Sequence, residues 1–361
     1  MGILDTIIDT HQKESLQQFE LNLIITKILE PLREREKSIL SKRYGLHGEE
    51  MQTLKTVGEE QGLTRERVRQ IEKDLLKNLK NGVNQLDSFL AARDLLLTTI
   101  TEHGGIMSEK TLMGHLGAES DEEANALKFL LNLMAELEEH SEDKHIKQSW
   151  SRIGFDKEFI KEFVATTRKI LDNHGKPLQP EEFIEKFAES DFFKKFEPQL
   201  TPRVIINYLQ TTSGIHKNPF GEFGLHHWNE IRPKDVGDKA YLVMKHHGKP
   251  EHYSAITDLI NQHGLDKRTA YKETVHNKLI KDKRFVLVGR GMYALSEWGY
   301  KPGVVSDIIV NVLKDAGKPM SREDIIEEVL KRRMVKNNTI LVGLSNKKLV
   351  KKVGKNLYDL A

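Results

Sequence analysis

The tripeptide Gly-Lys-Pro returns three times in this chain, at Gly175-Lys176-Pro177, Gly248-Lys249-Pro250 and Gly317-Lys318-Pro319, at intervals of about seventy residues. Glu102-His103-Gly104-Gly105 stands one further interval upstream as a degenerate copy. Each motif follows an amphipathic stretch and precedes another, as in Glu181 to Phe187, Ser254 to Ile260 and Arg322 to Leu330. Glycine can end the first helix and proline then enforces a turn. Each unit closes on a short β signal. Phe285 to Val288, Gly289-Arg290-Gly291 and Met292 to Leu295 read as a hairpin, and Leu349 to Val353, Gly354-Lys355-Asn356 and Leu357 to Leu360 repeat the plan. A looser copy ends in Phe220 to Leu225. Helices followed by a terminal hairpin outline a winged helix. The period is too long for a solenoid, so separate compact beads are expected, with Ile231 to Lys234 and Tyr300 to Gly303 as short linkers.

Ahead of the repeats, Thr64 to Glu72 reads as a helix with two chemically distinct faces. At about 100° per residue, Arg65, Arg69, Lys73, Glu66 and Gln70 share one side, while Val68, Ile71 and Leu75 gather opposite. Arginine can pair bidentately with guanine, glutamine with adenine, and glutamate can accept from the cytosine amino group. A merely solvated helix would more often mix Lys and Glu in i,i+4 pairs. Upstream, Thr53 can cap a helix to Glu60 with Leu54 and Val57 inward, and Gln61-Gly62-Leu63 supplies a glycine turn. That spacing fits a helix-turn-helix, whose second helix enters the major groove. Pro31 to Leu40 is expected to begin a further helix with proline at its entry, ending at Tyr44 before Gly45, with Ile39 and Leu40 as its buried stripe.

Leu32-Arg33-Glu34-Arg35-Glu36, Arg43-Tyr44-Gly45-Leu46, Thr53 to Glu60 and Thr64 to Glu72 resemble region 4 of primary bacterial sigma factors over about residues 28 to 82. In that family the module reads the upstream (−35) promoter element and grips the flap of the RNA polymerase β subunit. The resemblance implies Arg65, Glu66 and Gln70 as base readers and Arg67, Arg69 and Lys73 as base or backbone contacts. It also implies that the β flap sits in an apolar hollow around Leu32, Ile39, Leu40 and Leu54. About thirty residues precede the module, too few for the helices and aromatic residues with which a complete sigma factor melts DNA. Trp150, Trp228 and Trp298 are too dispersed to replace them, and the chain is not expected to melt promoters alone. The repeat units resemble HARE-type winged helices, including that of the RNA polymerase delta subunit, most clearly in the third and fourth copies.

The expected fold is therefore mainly α, an N-terminal helix-turn-helix followed by a tandem array of small winged-helix domains with short antiparallel β wings. The expected boundaries are a helical lead-in at 1–27, the sigma-like module at 28–90, a degenerate winged-helix-like unit at 91–155, a second at 156–232, and HARE-type winged helices at 233–302 and 303–361.

A net charge of +2 says little by itself, because local charge governs attraction to nucleic acid. Nine Lys or Arg residues and no acid lie between Lys331 and Lys355. Lys347, Lys348, Lys351, Lys352 and Lys355 surround the last wing and Lys281, Lys283, Arg284 and Arg290 the one before, as phosphate sites require, although lysines on a hairpin can also simply keep its edge soluble. The first unit, with Glu136, Glu138, Glu139, Glu142 and Asp143, is expected to repel DNA and to serve a protein partner or structure. Zero cysteines exclude disulfides and thiolate chemistry and suit a reducing cytosol. No apolar run spans a membrane, and a formal myristoylation pattern at Met1 to Thr6 is discounted as chance.

The histidines, including His226-His227 and His246-His247, lack metal-ligand spacing, and Gly-Lys-Pro lacks the rest of a phosphate loop. Trp150, Trp228, Tyr293 and Trp298 are expected to plug the small cores. No catalytic residue, metal, cofactor or small-molecule substrate is expected. The sequence reads as a cytoplasmic bacterial transcription protein that binds double-stranded promoter DNA and RNA polymerase. Alternatives are an autonomous repressor or activator and, further off, a nuclease-associated DNA-binding protein, since HARE-like modules also occur beside restriction endonucleases.

Overall fold

The computed structural model describes residues 21–118, 120–265, 268–300, 303–333 and 335–361. Most of the lead-in, and the Met1 to Thr6 pattern, lie outside them. The chain divides into two compact units, one running through Lys217 and including Phe223–His226, the other formed by Asn218–Glu222 with His227–Ala361. No described helix is long and apolar enough to cross a membrane.

The first unit opens with α1 (Leu21–Leu29), α2 (Glu34–Tyr44), α3 (Leu54–Gln61) and α4 (Arg65–Gly82). Their ends are set by local chemistry. The Thr53 hydroxyl accepts the Thr56 N–H at 3.2 Å and that of Thr64 accepts the Arg67 N–H at 3.1 Å, each satisfying a donor the helix leaves open. Gly45 and Gly62 close α2 and α3 at φ 61° and 65°. α2 begins three residues later than Pro31 suggests, because the Arg33 N–H is held by Glu36 Oε2 at 2.9 Å, a capping interaction that starts the helix there.

Behind these helices comes α5 (Asp87–Glu102), β1 (Ile106–Ser108), α6 (Glu109–His115), α7 (Asp121–Leu133), β2 (Leu137–His140) and β3 (Ser149–Arg152). The strands form one antiparallel sheet in the order β1-β3-β2, a winged-helix plan. The plan returns with α8 (Lys157–His174), α9 (Pro180–Ala188), α10 (Asp191–Phe196), α11 (Pro202–Thr211), β4 (Ile215–Lys217) and β5 (Phe223–Leu225). Here a single bridge between Leu178 and Phe223 replaces the first strand.

The helix-turn-helix and the winged helix behind it are not separate beads. One core runs from Ile24, Ile28 and Leu40 through Leu75 and Leu79 to Phe89, Phe129, Leu130 and Trp150, all buried. α7 lies against α1, α2 and α4. Tyr44 meets Phe129 edge-on at 5.1 Å, and Asn125 Nδ2 donates to the Gly45 carbonyl at 3.3 Å. Burial and the Glu72 carboxylate hold the Tyr44 hydroxyl above its ordinary pKa.

The second unit repeats the plan twice, with α12 (Val236–His247), β6 (Glu251–His252), α13 (Tyr253–Gln262), α14 (Lys272–Lys281), β7 (Phe285–Gly289) and β8 (Met292–Leu295), then α15 (Val305–Ala316), β9 (Met320–Ser321), α16 (Arg322–Arg332), α17 (Asn337–Leu344), β10 (Val350–Gly354) and β11 (Leu357–Leu360). Gly248 and Gly317 end α12 and α15 in the left-handed conformation, as Gly175 ends α8. The two hairpins match in register. Leu287 pairs with Tyr293 and Gly289 with Met292 across a bulge, and Lys352 pairs with Tyr358 and Gly354 with Leu357 across the same bulge. Gly291 (φ 71°) and Asn356 (φ 64°) occupy equivalent tip positions. Trp150 and Tyr293 are buried at 2% exposure, as core plugs should be.

Gly58 shows how tightly α3 and the turn meet. A methyl group there would lie 2.7 Å from the Leu63 carbonyl oxygen, a backbone atom that cannot swing away. Gly58→Ala is expected to destabilise the chain by about 1–3 kcal/mol. Gly114→Ala, in open space on α6, should instead stabilise by about 0.5–1 kcal/mol. Urea midpoints moving the same way for both would refute the close-approach account.

Candidate nucleic-acid interface

Arg65, Glu66, Arg67, Arg69, Gln70 and Lys73 are all exposed on α4, while Val68, Leu75 and Leu79 are buried beneath them. The helix is anchored by its other side. Arg43 Nε reaches Glu72 at 3.4 Å and its guanidinium also holds the Gln52 carbonyl, so Glu72 serves the scaffold. Arg35 donates to the Gln61 carbonyl at 2.6 Å and Lys42 pairs with Glu60 at 2.5 Å, fixing α3 and the turn onto α2. These ties join residues far apart in sequence, which helical periodicity alone does not show.

The exposed face is partly pre-paired. Arg69 grips Glu66 with Nη2 to Oε1 at 2.6 Å and Nε to Oε2 at 2.9 Å, and this holds the Glu66 carboxyl below the usual carboxylate range. Arg67 Nη1 reaches Gln70 Oε1 at 3.3 Å. Arg65 and Lys73 have no recorded hydrogen bond or ion pair among the described residues. The Glu66–Arg69 pair is half open to water, so screening leaves it weak and either side chain can be drawn onto a stronger partner.

The apolar hollow expected around Leu32, Ile39, Leu40 and Leu54 is corrected by the packing. Ile39 and Leu40 are 1% and 0% exposed, Ile39 against Val57 and Val68 and Leu40 in the core shared with α7. Their side chains are filled space and line no docking surface. Leu32 and Leu54 are half-buried and pack at the edges of those cores. An apolar stripe on a helix fixes that something covers it, and here the cover is the chain itself.

The acidic first winged helix is also less repulsive than its composition implies. Glu136 pairs with Arg93 at 3.5 Å, Glu138 with Lys157 at 3.3 Å, and Glu139 accepts from Gln148 at 3.0 Å. Asp143 accepts the N–H groups of His145 and Ile146, which hold its carboxyl below the ordinary value despite burial. Its α7, the helix before the wing, buries Ala126, Leu127, Phe129, Leu130, Leu131 and Leu133 and serves packing.

In the third winged helix Arg284 is not a free cation. It donates to Asp282 at 2.7 Å and Asp238 at 2.8 Å, while Lys278 pairs with Asp235 at 2.7 Å. Lys281, Lys283 and Arg290 remain exposed. His246-His247 lies at the end of α12 rather than on a strand, and the two rings diverge to Glu222 and Glu251, each at 3.1 Å. The fourth winged helix differs. Lys347, Lys348, Lys351, Lys352 and Lys355 are all exposed, and among the described residues none is recorded in an ion pair.

Comparison with known proteins agrees with the geometry in two places. Residues 28–81 match the family model for sigma-70 region 4, and residues 236–298 match that for HARE-HTH, the HTH domain named for its occurrence in ASXL and restriction endonuclease proteins. The chain is 41% identical over 71 residues to the RNA polymerase sigma factor sigB of Arabidopsis thaliana, covering 19% of this chain and 12% of that protein. It is 39% identical over 83 residues to the sigma factor RpoS of Coxiella burnetii, covering 22% and 24%, and 40% identical over 84 residues to the principal sigma factor HrdC of Streptomyces coelicolor, covering 22% and 25%. The chain thus spans a quarter or less of the length of these relatives. It joins a sigma-70 region 4 module to a HARE-HTH winged helix on one polypeptide.

Proposed function

We propose that this chain is a DNA-binding transcription protein that recognises promoter DNA through α4 and acts with RNA polymerase in initiation or its regulation. The carrying observation is that α4 keeps Arg65, Glu66, Arg67, Arg69, Gln70 and Lys73 open to solvent while its aliphatic side is locked into a core. Affinity comes from phosphate contacts and sequence choice from the base-facing side chains. The wing lysines Lys347, Lys348, Lys351, Lys352 and Lys355 extend the phosphate contact.

The sigma-factor likeness supports polymerase contact, and the β flap would have to use what Leu32 and Leu54 leave exposed. The burial of Ile39 and Leu40 favours a second reading, an autonomous regulator that binds DNA without polymerase. Co-purification with polymerase or an isolated β flap fragment decides between them. Retention of the flap supports the first, and DNA binding without flap retention supports the second.

Lys351→Ala with Lys352→Ala is expected to weaken binding evenly across sequences and to flatten the dependence of log affinity on log salt by about one to two units. An unchanged slope, measured by anisotropy over a salt series, removes this wing from the interface.

A further inference from the structure

α17 carries an exposed stripe that the core does not explain. Asn338, Val342 and Ser345 follow one another at helical spacing, and all three are exposed. Val342 is 73% exposed, the most open of the large apolar side chains among the described residues. The opposite side, Ile340 and Leu344, is buried in the core shared with α15 and α16. A whole branched aliphatic side chain is thus left in water on the helix that immediately precedes the wing.

The surroundings say what could cover it. Lys336 precedes the helix, Lys347 and Lys348 follow it, and Lys351, Lys352 and Lys355 line the hairpin, with no Asp or Glu from Arg333 to Tyr358. An apolar side chain ringed by cations suits a polyanion with methyl groups on its reading surface. Duplex DNA has that chemistry: thymine presents a methyl group in the major groove, and adenine presents the donor and acceptor that an asparagine amide matches. The contrast with the third unit is internal to the chain, since there the corresponding region ties Lys278 and Arg284 to Asp235, Asp238 and Asp282.

We infer that the fourth winged helix is a second sequence-reading site, in which Asn338 and Val342 select an A·T-containing step in the major groove while the flanking lysines hold phosphates. The chain then recognises two separated elements, one through α4 and one through α17. This rests on the proposed reading of the chain as a DNA-binding protein, though not on which bases α4 selects.

The test is selection of bound duplexes from a random library by the full chain, by Arg65→Ala and by Asn338→Ala with Val342→Ala. The unmodified chain should enrich two elements. The α17 variant should keep the Arg65-dependent element and lose enrichment of the A·T-containing one by about tenfold or more. Lys351→Ala with Lys352→Ala should lower recovery while keeping both preferences. A single element in the unmodified chain, or both elements surviving in the α17 variant, overturns the inference. Should Arg65→Ala leave both elements intact, the α4 reading fails while the α17 site stands. Both α17 residues are exposed, so their truncation is not expected to unfold the domain, and an unchanged urea midpoint verifies this.

Discussion

Arg65→Ala is expected to cost about 1–3 kcal/mol on the preferred duplex and far less on a scrambled one, with relaxed choice at one base pair. The side chain sits in the first turn of α4, the end that enters the major groove in a helix-turn-helix, and among the described residues it has no recorded hydrogen bond or ion pair to release. Arg69 differs in that it must leave Glu66 before it can contact DNA. Glu66→Ala therefore has two opposed consequences, loss of an acceptor and release of Arg69. Its binding should become more salt-dependent, because one more cation is free for phosphate. Competition assays with both duplexes read these effects directly. Equal losses on preferred and scrambled DNA for Arg65→Ala would mean that α4 contributes charge without reading bases.

The features legible in the sequence are those decided within a few residues. The caps at Thr53 and Thr64, the left-handed Gly45, Gly175, Gly248 and Gly317, and the hairpins of the last two units depend on short-range geometry. The face of α4 is legible for the same reason, since helical periodicity separates Arg65 and Gln70 from Val68 and Leu75. What the sequence hides is non-local. Ile39 and Leu40 are recognisable as residues in need of cover, but their neighbours come from elsewhere in the fold, α3, α4 and the elements behind them. Arg284 reads as a free wing cation until the fold brings Asp238, 46 residues away, beside it. Val342 escapes notice because a lone apolar residue within an apolar octapeptide gives no hint of which side faces water.

Phe129→Ala tests the largest of these non-local effects, the core shared between the helix-turn-helix and the winged helix behind it. Phe129 is fully buried on α7, and its ring abuts Tyr44 at the end of α2. Removing it is expected to cost about 3–5 kcal/mol, the range for truncating a buried aromatic residue. That is a large part of the stability of an ordinary domain. If the modules were independent beads, the loss would stay in α7 and the amides of α4 would keep their protection from hydrogen exchange. Because Leu40, Leu75 and Leu79 lie in the same core, the protection of α2 and α4 should fall together with that of α7. DNA affinity should then drop with sequence preference retained, since no base-facing side chain has changed. Ile153→Ala, at a side chain 65% exposed, should leave both protection and affinity unaltered. Unchanged exchange in α4 alongside a destabilised α7 would separate the modules, and the winged helix would then be a neighbour of the reading helix rather than its support.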